Sequence, residues 1–223
     1  MKKIYSGKIY EILPKSDGII FPYQKAVVEQ GDIVWYKMVS IENSSMTDVS
    51  EAIYMNMKFG SNYSVAVSLS KNFVSEKAIM LPDGRLLLCS ASGQVFIIDT
   101  DGLINISGEI KYKDSAPSSI AFYKNSIWAS FRDSNALIRF NLNTMRSELR
   151  IGGGKNSPFD SPECVFVAGD RAYVCNSGSN NIIKVDLENY TVDEYLTFEE
   201  PVHAYTRSGD SEFVQLSSGL YVL

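Results

Sequence analysis

The chain reads as an all-β repeat fold of short antiparallel strands. Three observations predict this. Five tight polar turns recur at about 40 to 50 residues, the period of a repeat architecture. They are Gly31-Asp32, Asp83-Gly84, Lys124-Asn125, Gly169-Asp170 and Gly209-Asp210. A bulky column follows them three places on: Trp35, Leu87, Trp128, Tyr173 and Phe213. No stretch sustains the 3.6-residue apolar period of a helix, so little helix is expected.

The elements follow in order. Lys3 to Ile12 is an isolated strand-like segment with no partner nearby in sequence. The first copy is irregular. Gln24 to Val28 and Ile33 to Ser40 are its first two strands, Glu42 to Ser50 a polar insert, and Ala52 to Phe59 and Tyr63 to Leu69 its last two. An insert longer than a turn, on one repeat only, is a place where scaffolds carry function. The second copy is Lys77 to Leu81, Arg85 to Ser90, Gln94 to Asp99 and Leu103 to Ile110. Asp/Gly turns divide it, and branched residues fill the strands. The third has Ser119 to Phe122, Ser126 to Ser130, Ala136 to Asn141 and Arg146 to Ile151. The fourth has Cys164 to Val167, Arg171 to Cys175, Asn181 to Asp186 and Thr191 to Phe198. Asp99, Asn141 and Asp186 end the third strands, where a side-chain acceptor can hold the next turn. The fifth copy stops after three strands: Val202 to Thr206, Glu212 to Leu216 and Leu220 to Leu223. Lys3 to Ile12 supplies the missing fourth. Such pairing joins the two ends of the chain, shields strand edges and ties down the termini. The expected architecture is therefore a single domain over residues 1–223, a five-bladed β-propeller of four-stranded antiparallel blades, its ring closed by the N-terminal strand.

Composition bounds the function. The 223 residues are 45% hydrophobic, enough for one globular domain, and the net charge is -5. No Lys/Arg stripe is present to neutralise phosphates, so no nucleic-acid partner is expected. No apolar run approaches the roughly 18 residues of a membrane span. Met1-Lys2-Lys3 is basic, but Ile4 to Ile9 is not a continuous apolar run, so no signal peptide is expected. Cys89, Cys164 and Cys175 form no CxxC pair. An odd count of this kind points to reduced thiols in a cytoplasm.

The fourth copy runs from Gly169 to Asp186 as Gly-Asp-Arg-Ala-Tyr-Val-Cys-Asn-Ser-Gly-Ser-Asn-Asn-Ile-Ile-Lys-Val-Asp. It resembles the YVTN-type β-propeller repeat, and more loosely the NHL repeat. Cys175 stands where the name-giving motif has Thr. The Pro82-Asp83-Gly84 turn and the Pro117-Ser118-Ser119 and Pro162-Glu163-Cys164 segments look similar too. The likeness covers about residues 75 to 200. It is specific for blade architecture and says little of chemistry.

The resemblance implies where a site would lie. In such propellers the start of each first strand and the loop after each second strand open on one face, around the central axis. Carried onto this chain, that face holds Glu76, Lys77, Arg132, Glu163, Asn176, His203 and Gln215, with Asp133 and Ser177 nearby. It is polar, carries both signs of charge, and is the expected ligand site. Tyr36, Phe131 and Tyr205 are candidate aromatic anchors there, unless strand alternation turns them inward.

Several chemistries compete. His203, the only histidine, could act as a general base if a carboxylate oriented it. A Ser-His-Asp arrangement lacks the support of a Gly-x-Ser-x-Gly elbow. Lactonase-type propellers hold a divalent ion with Glu, Asn and Asp, and Glu76, Asp133, Glu163 and Asn176 lie in comparable places. Oxygen ligands of that kind suit Ca²⁺ or Mg²⁺. Glycoside hydrolysis needs a carboxylate pair in one funnel, and only Glu76 and Glu163 offer one. Cys89 and Cys175 share a repeat column with Ser130, which reads as packing. The favoured expectation is a non-catalytic binding module for a protein partner or a small polar ligand, without a cofactor. The rival is a metal-dependent, lactonase-like hydrolase or lyase on the same face. A structural docking role is the third, and it would need an outer apolar patch.

Overall fold

The computed structural model describes residues 1–5, 13–14, 18–27, 34–42, 45–49, 75–98, 104–208 and 210–223. In chain order the strands are β1 (Lys2–Tyr5), β2 (Leu13–Pro14), β3 (Gly18–Val27), β4 (Val34–Glu42) and β5 (Ser45–Val49). Then come β6 (Ser75–Met80), β7 (Leu86–Ser90), β8 (Gln94–Ile98) and β9 (Ile104–Glu109). β10 (Ser119–Tyr123), β11 (Ser126–Phe131), β12 (Ala136–Asn141) and β13 (Ser147–Gly152) follow. β14 (Pro162–Ala168), β15 (Arg171–Asn176), β16 (Asn181–Asp186) and β17 (Val192–Thr197) form the next group. β18 (Val202–Ser208), β19 (Ser211–Leu216) and β20 (Gly219–Val222) are last. Among the described residues the only helical element is a 3-10 turn at Arg132–Ser134. No helix there is long and apolar enough to cross a membrane.

The strands pair as five four-stranded antiparallel sheets: β2 to β5, β6 to β9, β10 to β13, β14 to β17, and β18-β19-β20-β1. The last sheet joins the two ends of the described chain. Lys2 faces Val222, Lys3 faces Tyr221 and Tyr5 faces Leu220. Neighbouring sheets meet through their first strands: β6 contacts β10, β10 contacts β14, β14 contacts β18, and β18 contacts β2.

Burial on both faces explains why these strands read as nearly continuous apolar runs. Side chains alternate across the pleat, so each strand feeds two interfaces. Ile127, Ala129 and Phe131 of β11 pack with Leu87, Cys89 and Val95 of the preceding sheet. Trp128, between them in sequence, packs the other way, with Val165, Ala172 and Val174. Tyr173 then joins Val202, Tyr205 and Val214 of the last sheet. Its ring centre lies 5.1 Å from that of Tyr205 and 5.0 Å from that of Tyr195. The bulky column is thus the inter-sheet core: Leu87, Trp128, Tyr173 and Phe213 are all buried. The side chain of Trp35 lies outside the described residues.

The polar turns work locally as expected. Gly84 (φ 85°) and Gly169 (φ 57°) take the left-handed region that tight hairpins need. Asn141 Oδ1 accepts from the main-chain N–H of Asn143 and Thr144. Asp186 Oδ1 accepts from Glu188 and Asn189, and these bonds hold its carboxyl below the usual range. Asp99 lies outside the described residues.

Two expectations need correction. The described part of 42–50 is not a polar loop. Ser45–Val49 is strand β5, and Glu42, at the end of β4, faces Ser45. Thr47 and Val49 supply branched strand formers, and the polar composition disguised a strand. The first sheet also begins earlier, with β2 and β3 pairing ahead of β4. Ala52 to Phe59 and Tyr63 to Leu69 lie outside the described residues. Second, Phe131 and Tyr205 do not reach the open face. They are 0% and 1% exposed, because strand alternation turns them into the interfaces.

Candidate functional site

Local structure brings three side chains from three sheets to one carboxylate. Arg132 opens the 3-10 turn after β11, Glu163 sits at the start of β14, and His203 sits at the start of β18. Arg132 Nη1 lies 2.9 Å from Glu163 Oε1. His203 Nδ1 lies 2.6 Å from Glu163 Oε2. On its other side, His203 Nε2 lies 2.9 Å from Ser217 Oγ, in the β19–β20 turn. A polar line therefore runs Arg132–Glu163–His203–Ser217.

The electrostatics follow from this geometry. Glu163 is 19% exposed. Its burial works to raise the carboxyl, but the His203 and Ser177 hydrogen bonds and the Arg132 charge outweigh it. The group is held below the usual carboxylate range. The one hydroxyl hydrogen of Ser177 is shared between Glu163 and the Ser161 carbonyl, which lies 3.1 Å from Ser177 Oγ. An ionised carboxylate only accepts, so the network places the ring hydrogen of His203 on Nδ1. In the neutral ring Nε2 is then the acceptor, and the Ser217 hydroxyl donates to it.

The other expected site residues do not join this line. Asn176 is fully buried and donates from Nδ2 to Asn181 Oδ1 at 3.0 Å, which ties down the β15–β16 turn. Gln215 is buried and donates from Nε2 to the Leu216 carbonyl at 2.7 Å. Both stand inside the fold rather than on an open face. Lys77 faces Cys89 across β6 and β7. Glu76 lies in β6, its side chain outside the described residues. Asp133 is exposed in the 3-10 turn. Cys89 and Cys175 are buried, and burial, more than the nearby Cys164, pushes the Cys175 thiol well up.

The residues described fit a divalent ion poorly. Both oxygens of Glu163 already face cationic or hydrogen-bearing partners, and Asn176 is engaged elsewhere. An ion would have to displace Arg132 and His203. Among the described residues, no three His, Cys, Asp or Glu side chains cluster as ligands.

Ser217 is the residue that sequence reasoning missed. Its signal was the repeat itself. Glu163 and His203 both stand ten places before their bulky residues, Tyr173 and Phe213. Arg132, Ser177 and Ser217 all stand four places after theirs, Trp128, Tyr173 and Phe213. Two columns of the repeat therefore build the site.

No protein-family model matches the chain, and neither does any curated protein. Solved structures do. The virginiamycin B lyase of Staphylococcus aureus is 14% identical, with TM-score 0.53, over 93% of this chain and 72% of that one. The Kuenenia stuttgartiensis hydrazine synthase is 16% identical, with TM-score 0.53, over 70% of this chain and 46% of that one. The computationally designed Ika8 protein is 8% identical, with TM-score 0.52, over 96% of this chain and 57% of that one. The chain thus spans about half the length of the latter two. At these identities the likeness is one of fold, and the fold is β-propeller-like.

Proposed function

We propose that the chain is a closed five-bladed β-propeller, YVTN-like in its repeat, that works as a binding module for a small polar ligand. The observation that carries this is the meeting of Arg132, Glu163 and His203, from three sheets, at one partly exposed carboxylate. Such convergence gives directional donors and acceptors at the face where such propellers take ligands. The large apolar side chains exposed among the described residues are Met1 and Leu223. That favours polar recognition over apolar docking. The odd count of three cysteines, with no CxxC pair, is in keeping with a cytoplasmic module.

Thermal unfolding tests the binding reading. Sugars, dicarboxylates and amino acids are added singly to the wild type and to Glu163→Ala. A native-state ligand raises the melting temperature by mass action. A saturable rise for one class, lost in the variant, is expected. No rise with any class would turn the search to protein partners. Ca²⁺ and Mg²⁺ are expected to give no saturable rise, and one lost in Glu163→Ala would restore the metal reading.

The closed ring has its own test. Removing residues 1–6 deletes β1 and leaves β20 as an open edge. We expect a lower melting temperature and concentration-dependent aggregation, measured by light scattering. An unchanged melt and a monomeric variant would mean that β1 closes nothing.

A further inference from the structure

The polar line does more than bridge sheets, because it ends on a hydroxyl. We infer that Ser217 is a base-activated nucleophile that accepts acyl groups from activated esters. This goes beyond the binding reading and does not depend on it. Ser217 Oγ lies 2.9 Å from His203 Nε2, and His203 Nδ1 lies 2.6 Å from Glu163 Oε2. That is the order nucleophile, base and orienting carboxylate. Three groups on different segments, in hydrogen-bond reach in that order, are what activation of a serine requires.

The nucleophile is also accessible and held in place. Ser217 is exposed in its turn. Its main-chain N–H donates to the Pro201 carbonyl at 3.2 Å. The Ser218 N–H donates to Glu200 Oε2 at 2.8 Å, and the Ser218 hydroxyl also bonds Glu200. The turn is therefore pinned beside His203 by the adjoining Glu200-Pro201 segment.

The same bonds set the substrate class. The N–H groups of Ser217 and Ser218 are engaged, so neither is free to cradle a developing oxyanion. Loss of one such donor typically costs 10²–10³ in rate. Amides and simple alkyl esters need that help. Aryl esters, with good leaving groups, need it far less.

The step balances without any redox partner. The Ser217 oxygen bonds the acyl carbon while its proton passes to His203 Nε2. The bond from that carbon to the aryloxy oxygen breaks, and the aryloxide leaves, taking the proton. The acyl-serine is itself an alkyl ester, so with neither N–H free as an oxyanion donor water removes the acyl group slowly and the label persists. Glu163 acts as a positioning residue and balances the charge on the ring.

p-Nitrophenyl acetate is the probe, with intact and peptide mass spectrometry as the readout. The wild type is expected to gain one acetyl group on Ser217 at least tenfold faster than any lysine. Ser217→Ala should lose that label. His203→Gln should slow it at least tenfold while keeping the wild-type melt, since glutamine can still bond its neighbours. Glu163→Gln should slow it less, with the wild-type acetylation site. Circular dichroism confirms that each variant is folded, and His203→Asn replaces His203→Gln if the latter is not. Acetyl groups spread over lysines, or labelling of Ser217 unchanged in a folded His203 variant, would overturn the inference. No mass gain at all would also overturn it and leave the line as an inter-sheet clasp.

Discussion

Trp128→Ala should be the most damaging single substitution in the described core, at about 3–5 kcal/mol, the range for truncating a large buried aromatic. Trp128 is 0% exposed and sits between two sheets, against Val165, Ala172, Val174 and Val185. The sheets are held by backbone ladders, so they cannot close the gap freely. At roughly 2–4 °C per kcal/mol for a chain of this size, the melting temperature should fall by about 10 °C. Trp128→Phe should be much milder, under about 1.5 kcal/mol. The indole Nε1 has no protein partner, so phenylalanine removes volume but also an unpaired buried donor. Guanidinium denaturation of both variants checks this. Equal losses would mean that cavity formation is not what sets the cost.

Glu163→Gln should remove an acid-sensitive part of the stability. The folded carboxyl is held below its ordinary range, so its contribution is complete above about pH 4.3, the unfolded value. It is lost as pH falls through the lower folded value, because the unfolded state then binds more protons. The glutamine variant carries no such charge. It should be less stable than the wild type by about 1–2 kcal/mol near neutral pH, the range for charged hydrogen bonds reduced by partial exposure. The two curves should converge as pH falls below the unfolded value and through the lower folded one. Urea midpoints measured across that window decide it. A gap that stays constant with pH would place the loss in packing rather than in charge.

Much of the fold was legible because it rests on local rules. Alternation, Asp/Gly turns and a repeating bulky residue place Ala136–Asn141 and Asn181–Asp186 at their observed bounds. They also anticipate the pairing of the N-terminal strand with the last sheet. The miss at 42–50 has a local cause too. Ser-Met-Thr-Asp-Val carries too little apolar signal to read as a strand, and its pairing with β4 supplies the rest.

The site divides differently. The repeat period alone places Glu163 and His203 at the start of first strands and Arg132 just past a second strand, since it assigns every copy the same phase. It could not determine which neighbours touch. Glu163 and His203 are 40 residues apart, and His203 and Ser217 are 14 apart. Only the packing of adjacent sheets brings them within a hydrogen bond. The same packing decided that Asn176 and Gln215 turn inward while Ser217 turns outward. The physical reason is that a repeat specifies position along a strand, whereas contact between strands depends on how sheets stack, and stacking is set by the bulky side chains buried between them.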